Sequence, residues 1–109
     1  MTNPCFEDLP KSYEGLDVLQ SEFNAYQQKA FQPRTPQFFS LELCGEAGEL
    51  ANLEKKAWKG RDIPPEQFAE EAADTCIALL NYANQRGVNL AEAVRRKMHE
   101  IEERRQQSA

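Results

Sequence analysis

The sequence predicts an all-α domain of four helices, on three observations. Apolar residues recur at the three-and-four spacing of a helical stripe along most of the chain, alternating β-branched and aromatic runs that would mark strands are missing, and Pro or Gly stands where each stripe breaks. The length of 109 residues suits one domain, because smaller pieces would not bury a core.

The elements follow in order. Residues 1–12 mix Pro, Asn, Asp and Lys without a period and read as a flexible N-terminal arm. The single helical domain is expected over 13–105, with 106–109 as a frayed tail. Leu16, Leu19, Phe23, Tyr26 and Ala30 form the stripe of the first helix, which ends before Pro33. Thr35 then supplies a capping hydroxyl and Pro36 a first helical residue whose missing N–H is no loss, so a second helix is expected to run to about Trp58 and stop at Gly60. After a polar loop from Lys59 to Pro64, Pro65 opens a third helix through Phe68, Ala72, Cys76, Leu79, Leu80 and Ala83 to Gly87, a residue suited to the left-handed terminal position. Asn89 with Glu92 three residues on makes a cap pair, and Leu90, Val94, Met98 and Ile101 form the last stripe. Short loops between these segments imply a four-helix-bundle arrangement.

Composition narrows the function. Hydrophobic residues make up 40% and charged residues 28%, and the mean hydropathy is −0.73, so a soluble, folded chain is expected. Eighteen acidic against thirteen basic residues give a net charge of −5, which argues against binding a nucleic acid polymer and leaves small ligands open. No apolar run approaches the roughly 20 residues of a membrane span, and no basic and then apolar export segment opens the chain. Cys5, Cys44 and Cys76 are at no metal-motif spacing, and reduced core thiols are the expectation, which with the missing export segment points to the cytoplasm.

The acids fit a plain bundle poorly. On a wheel of roughly 100° per residue, Glu42, Glu46 and Glu49 share one narrow arc with Phe38, Phe39 and Leu53. Carboxylates are thus mixed into an apolar face, where an unpaired charge is costly. On the third helix Glu71 and Asp74 lie one turn apart, with Asn81 further along the same side; alone, that pair also suits a solvated face. If the two helices pack antiparallel, Glu46, Glu49, Glu71 and Asp74 converge with no matching base. Such a cluster raises its pKa values or binds cations, and an all-oxygen donor set favours Mg²⁺, Mn²⁺ or Ca²⁺. Di-iron carboxylate bundles use a Glu-x-x-His on two helices, whereas the one histidine here, His99, has Arg96 at the glutamate position.

A carboxylate-held Mg²⁺ suggests phosphate chemistry, and an anionic substrate needs cations. Lys55, Lys56, Lys59 and Arg61 cluster after the acidic stretch, and Lys97 and Arg104 lie two turns apart on the last helix, although for each a solvated surface role is the plainer alternative. Trp58, Phe31 and Tyr82 have the flat faces to stack on a base, with core packing as the alternative.

The string GEAGEL, from Gly45 to Leu50, followed by EEAADTCIALL, from Glu70 to Leu80, resembles the MazG-like all-α nucleoside triphosphate pyrophosphohydrolases. Glu46 and Glu49 match the last two glutamates of that family's Glu-Glu-x-x-Glu helix, and Glu71 with Asp74 its Glu-x-x-Asp; Gly45 departs from the first glutamate. The stretch FQPRTPQFFSLELCGEAGELA is similar to the dCTP pyrophosphatase branch, and GVNLAEAVRRKMHEIEERR to the family's last helix, although Ile101 stands where many members have asparagine. The likeness covers residues from about 20 to 105.

The resemblance implies a MazG fold assembled as a dimer or dimer of dimers, with nucleotide pockets completed between subunits. It also implies Mg²⁺-dependent cleavage of a (deoxy)nucleoside triphosphate, dCTP first, to the monophosphate and pyrophosphate, a house-cleaning of the nucleotide pool, with Mn²⁺ as an alternative ion. In that scheme Glu46, Glu49, Glu71 and Asp74 hold metal, and Glu46, with Glu42 as the alternative, orients or deprotonates the attacking water. Lys97 and Arg104 contact phosphate, and Lys56, Lys59, Arg61, Asn81, Trp58 and Phe31 complete the substrate site. An oligomer is also expected from the residues themselves, because Leu41, Leu43, Cys44, Ala47, Leu50 and Ala51 spread over more of the second helix than one neighbour covers. The competing reading is a non-catalytic helical dimerisation or regulatory module whose acidic stripe is a solvated face. A family member that has lost turnover is a third, kept open by Gly45.

Overall fold

The computed structural model describes residues 6–108. Among them are a 3₁₀ turn, Phe6–Asp8, and four α-helices: α1, Glu14–Ala30; α2, Pro36–Trp58; α3, Pro65–Arg86; and α4, Leu90–Ser108. No strand occurs among the described residues.

Local chemistry explains the boundaries. The Thr35 hydroxyl accepts the Phe38 N–H at 3.1 Å, and Pro36 occupies the first turn of α2. Gly87 closes α3 at φ 77°, and the Val88 N–H reaches back to the Ala83 carbonyl at 2.8 Å, which satisfies carbonyls the helix end would orphan. Asn89 caps α4 by accepting the Glu92 N–H at 2.9 Å, while the Glu92 carboxylate turns to Arg95.

α2 and α3, joined by the short loop 59–64, pack along one another as the principal pair, and α1 lies against α3 and α4. The seam is thin. Phe39, Ala78, Leu80 and Ala83 are buried apolar residues of α2 and α3, with Leu43, Leu50, Leu53 and Phe68 half-buried, and Ala91 is buried on α4. The radius of gyration is 17.1 Å, against about 13 Å for a close-packed chain of this length. The helices therefore form an open, flat arrangement of 46 × 41 × 22 Å, with the α2–α3 pair projecting beyond the cover of α1.

A polar pin holds the other end. Gln20, 7% exposed on α1, donates to the Asn84 side chain at 3.0 Å and the Val88 carbonyl at 2.7 Å, and accepts the Leu90 N–H at 3.0 Å. One amide thus ties α1 to both sides of the α3–α4 turn. Gln20→Leu keeps the volume and leaves those partners unpaired, so it is expected to destabilise the chain by about 2 to 3 kcal/mol, read as a lower urea midpoint.

One expectation is corrected. Cys44 and Cys76 are free thiols but exposed ones, because each points from its helix away from the α2–α3 seam and no described segment covers it; Cys5 lies outside the described residues. The tail expected to fray from Gln106 is helical through Ser108, held by Arg105 and Gln106 bonds to the buried Glu102 carboxylate and by the Ser108 hydroxyl on the Arg104 carbonyl; Ala109 is outside the described residues. Within the expected arm, residues 1–5 lie outside the description. Phe6 stacks on His99 of α4 at 5.6 Å, and just past the expected arm the Tyr13 hydroxyl meets the Met98 sulfur at 3.3 Å.

Candidate metal centre

Three of the four acids converge. Glu46 and Glu49 on α2 and Glu71 on α3 each offer a carboxylate oxygen, and the three oxygens lie within 4.8 Å of one another. Glu46 and Glu71 are half-buried and Glu49 is exposed. One oxygen of each half-buried group, Oε2 of Glu46 and Oε2 of Glu71, is sealed from solvent and accepts no hydrogen bond from the protein. Asp74 stands outside this tight group, yet its charge bears on both Glu46 and Glu71.

The cost shows in the protonation of the cluster. Burial first, then a carboxyl hydrogen bond with Glu49 and the charges of Glu49, Glu46 and Asp74, raise Glu71 to about 7. Burial and the charges of Glu49, Asp74 and Glu42 also raise Glu46, partly offset by a hydrogen bond with Glu71. The Glu102 carboxylate shows the opposite case: Arg105 and Gln106 bond to it and hold it down at about 2. Among the described residues no such cation pairs with the trio. The donor chemistry therefore fits a hard divalent ion, which would satisfy two sealed oxygens and cancel the repulsion at once.

The sign of the pH dependence follows. Folded Glu46 and Glu71 keep their protons to higher pH than the unfolded chain, whose carboxylates titrate near 4.5. The stabilising contribution of Glu71 is full below 4.5 and is lost as pH rises toward about 7, and that of Glu46 is lost in the same direction, whereas that of Glu102 is present above 4.5 and lost as pH falls toward about 2. The melting temperature of the metal-free chain is expected to fall between about pH 5 and about pH 8, with a shallower slope in Glu71→Gln. A flat profile in the unsubstituted chain would contradict the geometry.

A cleft adjoins the acids. Between the end of α1 and the first half of α2 a space of about 420 Å³ is walled by Phe31, Phe38 and Phe39, and Arg34, Glu42 and Asn81 also line it. The Arg34 guanidinium lies over the Phe38 ring, 4.7 Å from its centroid. Phe31, Asn81 and Glu42, three of the residues that the sequence marks, thus share one wall system with a cation that it does not mark. Arg34 precedes the α2 cap, and only the return of its side chain over Phe38 places it there, which no periodicity records.

The other marked residues are dispersed. Trp58 is 90% exposed at the end of α2, Lys59 and Arg61 are exposed in the following loop, and Lys56 is half-buried. Lys97 and Arg104 stand on α4, where both pair with Glu100, at 3.5 and 2.6 Å. Among the described residues the structure thus gathers the acids and the aromatic cleft, and leaves the basic set spread over α2, its following loop and α4.

Comparison of the chain with protein-family models, with curated proteins and with solved structures yields no match.

Proposed function

We propose that the chain is a Mg²⁺-dependent nucleoside triphosphate pyrophosphohydrolase of the MazG-like kind, cleaving between the α and β phosphates and acting on a deoxynucleotide such as dCTP. The observation that supports this reading is the carboxylate trio with two sealed, unpartnered oxygens and, among the described residues, no basic partner. Glu46, Glu49 and Glu71 would hold the ion, with Asp74 completing the set from the same side of α3. A bound Mg²⁺ supplies positive charge to the triphosphate oxygens, and Mn²⁺ would serve likewise.

The remaining work belongs to the chain. Glu46, whose basicity burial and the neighbouring carboxylates raise, takes the proton of the attacking water in this scheme; Glu42, one turn earlier, is the alternative. Water oxygen bonds to the α phosphorus, the bridging bond to the β phosphate breaks, and pyrophosphate leaves with the electron pair. Lys97 and Arg104 lie with Glu100 in the single chain, so their use on phosphate requires exchange of that pairing or a second copy. The active unit in this proposal is a homodimer or homotetramer.

The test is direct. The chain is incubated with each deoxynucleoside triphosphate and Mg²⁺, and pyrophosphate is measured. Pyrophosphate and monophosphate in equal amounts support the reading, and no release from any nucleotide refutes it. The alternative of a non-catalytic dimerisation module draws on the uncovered apolar faces of α2 and α3. It predicts a melting temperature indifferent to divalent ions, whereas an ion held by the folded state raises it.

A further inference from the structure

The face that α3 turns to α2 contains a hydroxyl that packing does not require. Phe68, Glu71, Thr75, Ala78 and Tyr82 follow one another at three-and-four spacing and are each buried or half-buried, whereas residues 72–74, 76 and 77 between them are exposed. Thr75 is the member next to Glu71 in that row. A hydroxyl withdrawn from water is costly unless it is bonded, and valine would fill the same shape with no donor to satisfy. Thr75 gives its donor to the Glu71 carbonyl, at 2.7 Å. Ser40 and Ser108 bond to carbonyls of their own helices too, but both are exposed, where water competes for the same groups.

This bond acts on one member of the acid trio. In an α-helix a carbonyl accepts the N–H four residues on, so the Thr75 hydroxyl is a second donor on the Glu71 carbonyl, and a back-bond of this kind constrains the tilt of the peptide and bends the helix locally. The peptide so held begins at the Glu71 Cα, and its tilt sets the direction in which the Glu71 side chain leaves the helix. Glu71 is the trio's contribution from α3, so the approach of its oxygen to those of Glu46 and Glu49, within 4.8 Å, depends on that direction. The ions that suit the donor set differ in what they tolerate. Mg²⁺ demands near-ideal octahedral geometry, whereas Ca²⁺ accepts a flexible set of oxygens, so a small turn of one carboxylate weakens Mg²⁺ more than Ca²⁺.

We propose that Thr75 is a positioning residue of the acid site: through the Glu71 carbonyl it holds the Glu71 carboxylate in the geometry that admits Mg²⁺. The proposal deepens the metal-dependent reading of the trio, on which it rests. It also gives the half-buried hydroxyl a purpose that the apolar row of α3 does not supply.

Two variants separate the donor from the shape. Thr75→Val keeps the shape and removes the donor, and Thr75→Ser keeps the donor and removes the methyl group. Mg²⁺ and Ca²⁺ are titrated separately by calorimetry into the full chain without nucleotide, so the readout does not depend on turnover, and circular dichroism shows that each variant folds. Thr75→Val is expected to weaken Mg²⁺ binding about tenfold and Ca²⁺ binding by less than about threefold, while Thr75→Ser stays within about threefold of the unsubstituted chain for both ions. Melting of the metal-free proteins should run in the opposite order, with Thr75→Val at least as stable as the unsubstituted chain and Thr75→Ser less stable. A residue that served packing alone would make ion affinity follow melting temperature. Equal Mg²⁺ affinity in Thr75→Val and the unsubstituted chain, or equal losses for the two ions, would overturn the proposal, and an unsubstituted chain that binds neither ion would overturn it together with the metal centre. Should the affinities follow the expected order while no triphosphate releases pyrophosphate, the role of Thr75 stands and the pyrophosphohydrolase reading falls. Hydrolysis and Mg²⁺ affinity both unchanged in Thr75→Val give the reverse.

Discussion

Glu49→Ala is expected to reduce Mg²⁺-dependent pyrophosphate release by at least about a hundredfold while leaving the helical content unchanged. Glu49 is the exposed member of the trio, so its removal opens no cavity, yet it takes one of the three oxygens that meet within 4.8 Å. It also removes a charge that raises both Glu46 and Glu71. The metal-free variant should therefore melt at a higher temperature than the unsubstituted chain, and should gain less on addition of Mg²⁺. That opposite movement separates a ligand from an ordinary surface acid, which would change neither quantity much. Asp74→Ala is expected to lose activity too, through the charge that Asp74 places on Glu46 and Glu71. Full pyrophosphate release in either variant would remove the metal centre from the proposal.

The parts of this structure that depend on neighbours in sequence were legible before folding. Thr35–Pro36, Gly87 and Asn89 each act within a few residues of themselves, and α2, α3 and α4 open or close where those residues stand. The acids were legible for a related reason: Glu46, Glu49 and Glu71 repeat at one-turn spacing on two helices whose short connection forces them together. What periodicity does not carry is the relation between distant segments. Gln20 reads as one polar residue in the stripe of α1, and only the return of the α3–α4 turn to α1 makes it a pin. Arg34 reads as a loop cation until it lies on Phe38. Cys44 and Cys76 read as core because Leu and Ala flank them, but flanking residues in a helix point elsewhere, and both thiols face outward.

That outward face carries the second large expectation, that light scattering after size exclusion will give the mass of a dimer or a tetramer. Leu41 is 74% exposed and Ile77 44%, on helices whose other sides already meet at the α2–α3 seam. Around Gly48, on the same helix as Leu41, nothing lies within 4 Å of where a Cβ would stand, so a neighbouring helix has room to approach closely there. A radius of gyration of 17.1 Å leaves the projecting pair without the burial that a domain of this length ordinarily gains. A second copy packing its own projecting pair on this one would cover both faces by a closed, self-complementary contact, and a stable contact of that kind needs roughly 1,600 Å² in total. Leu41→Glu places a charge in the centre of that contact and is expected to shift the mass to that of the monomer, with a fall in melting temperature and in pyrophosphate release. The thiols supply an independent reading. Cys44 and Cys76 are open in the single chain, so slow modification by a thiol reagent in the unsubstituted protein, turning fast in Leu41→Glu, would show that the second copy lies over them. A monomeric mass with both thiols reacting at once and nucleotide hydrolysed at full rate would leave the faces uncovered in the working protein, and the assembly would have no part in its chemistry.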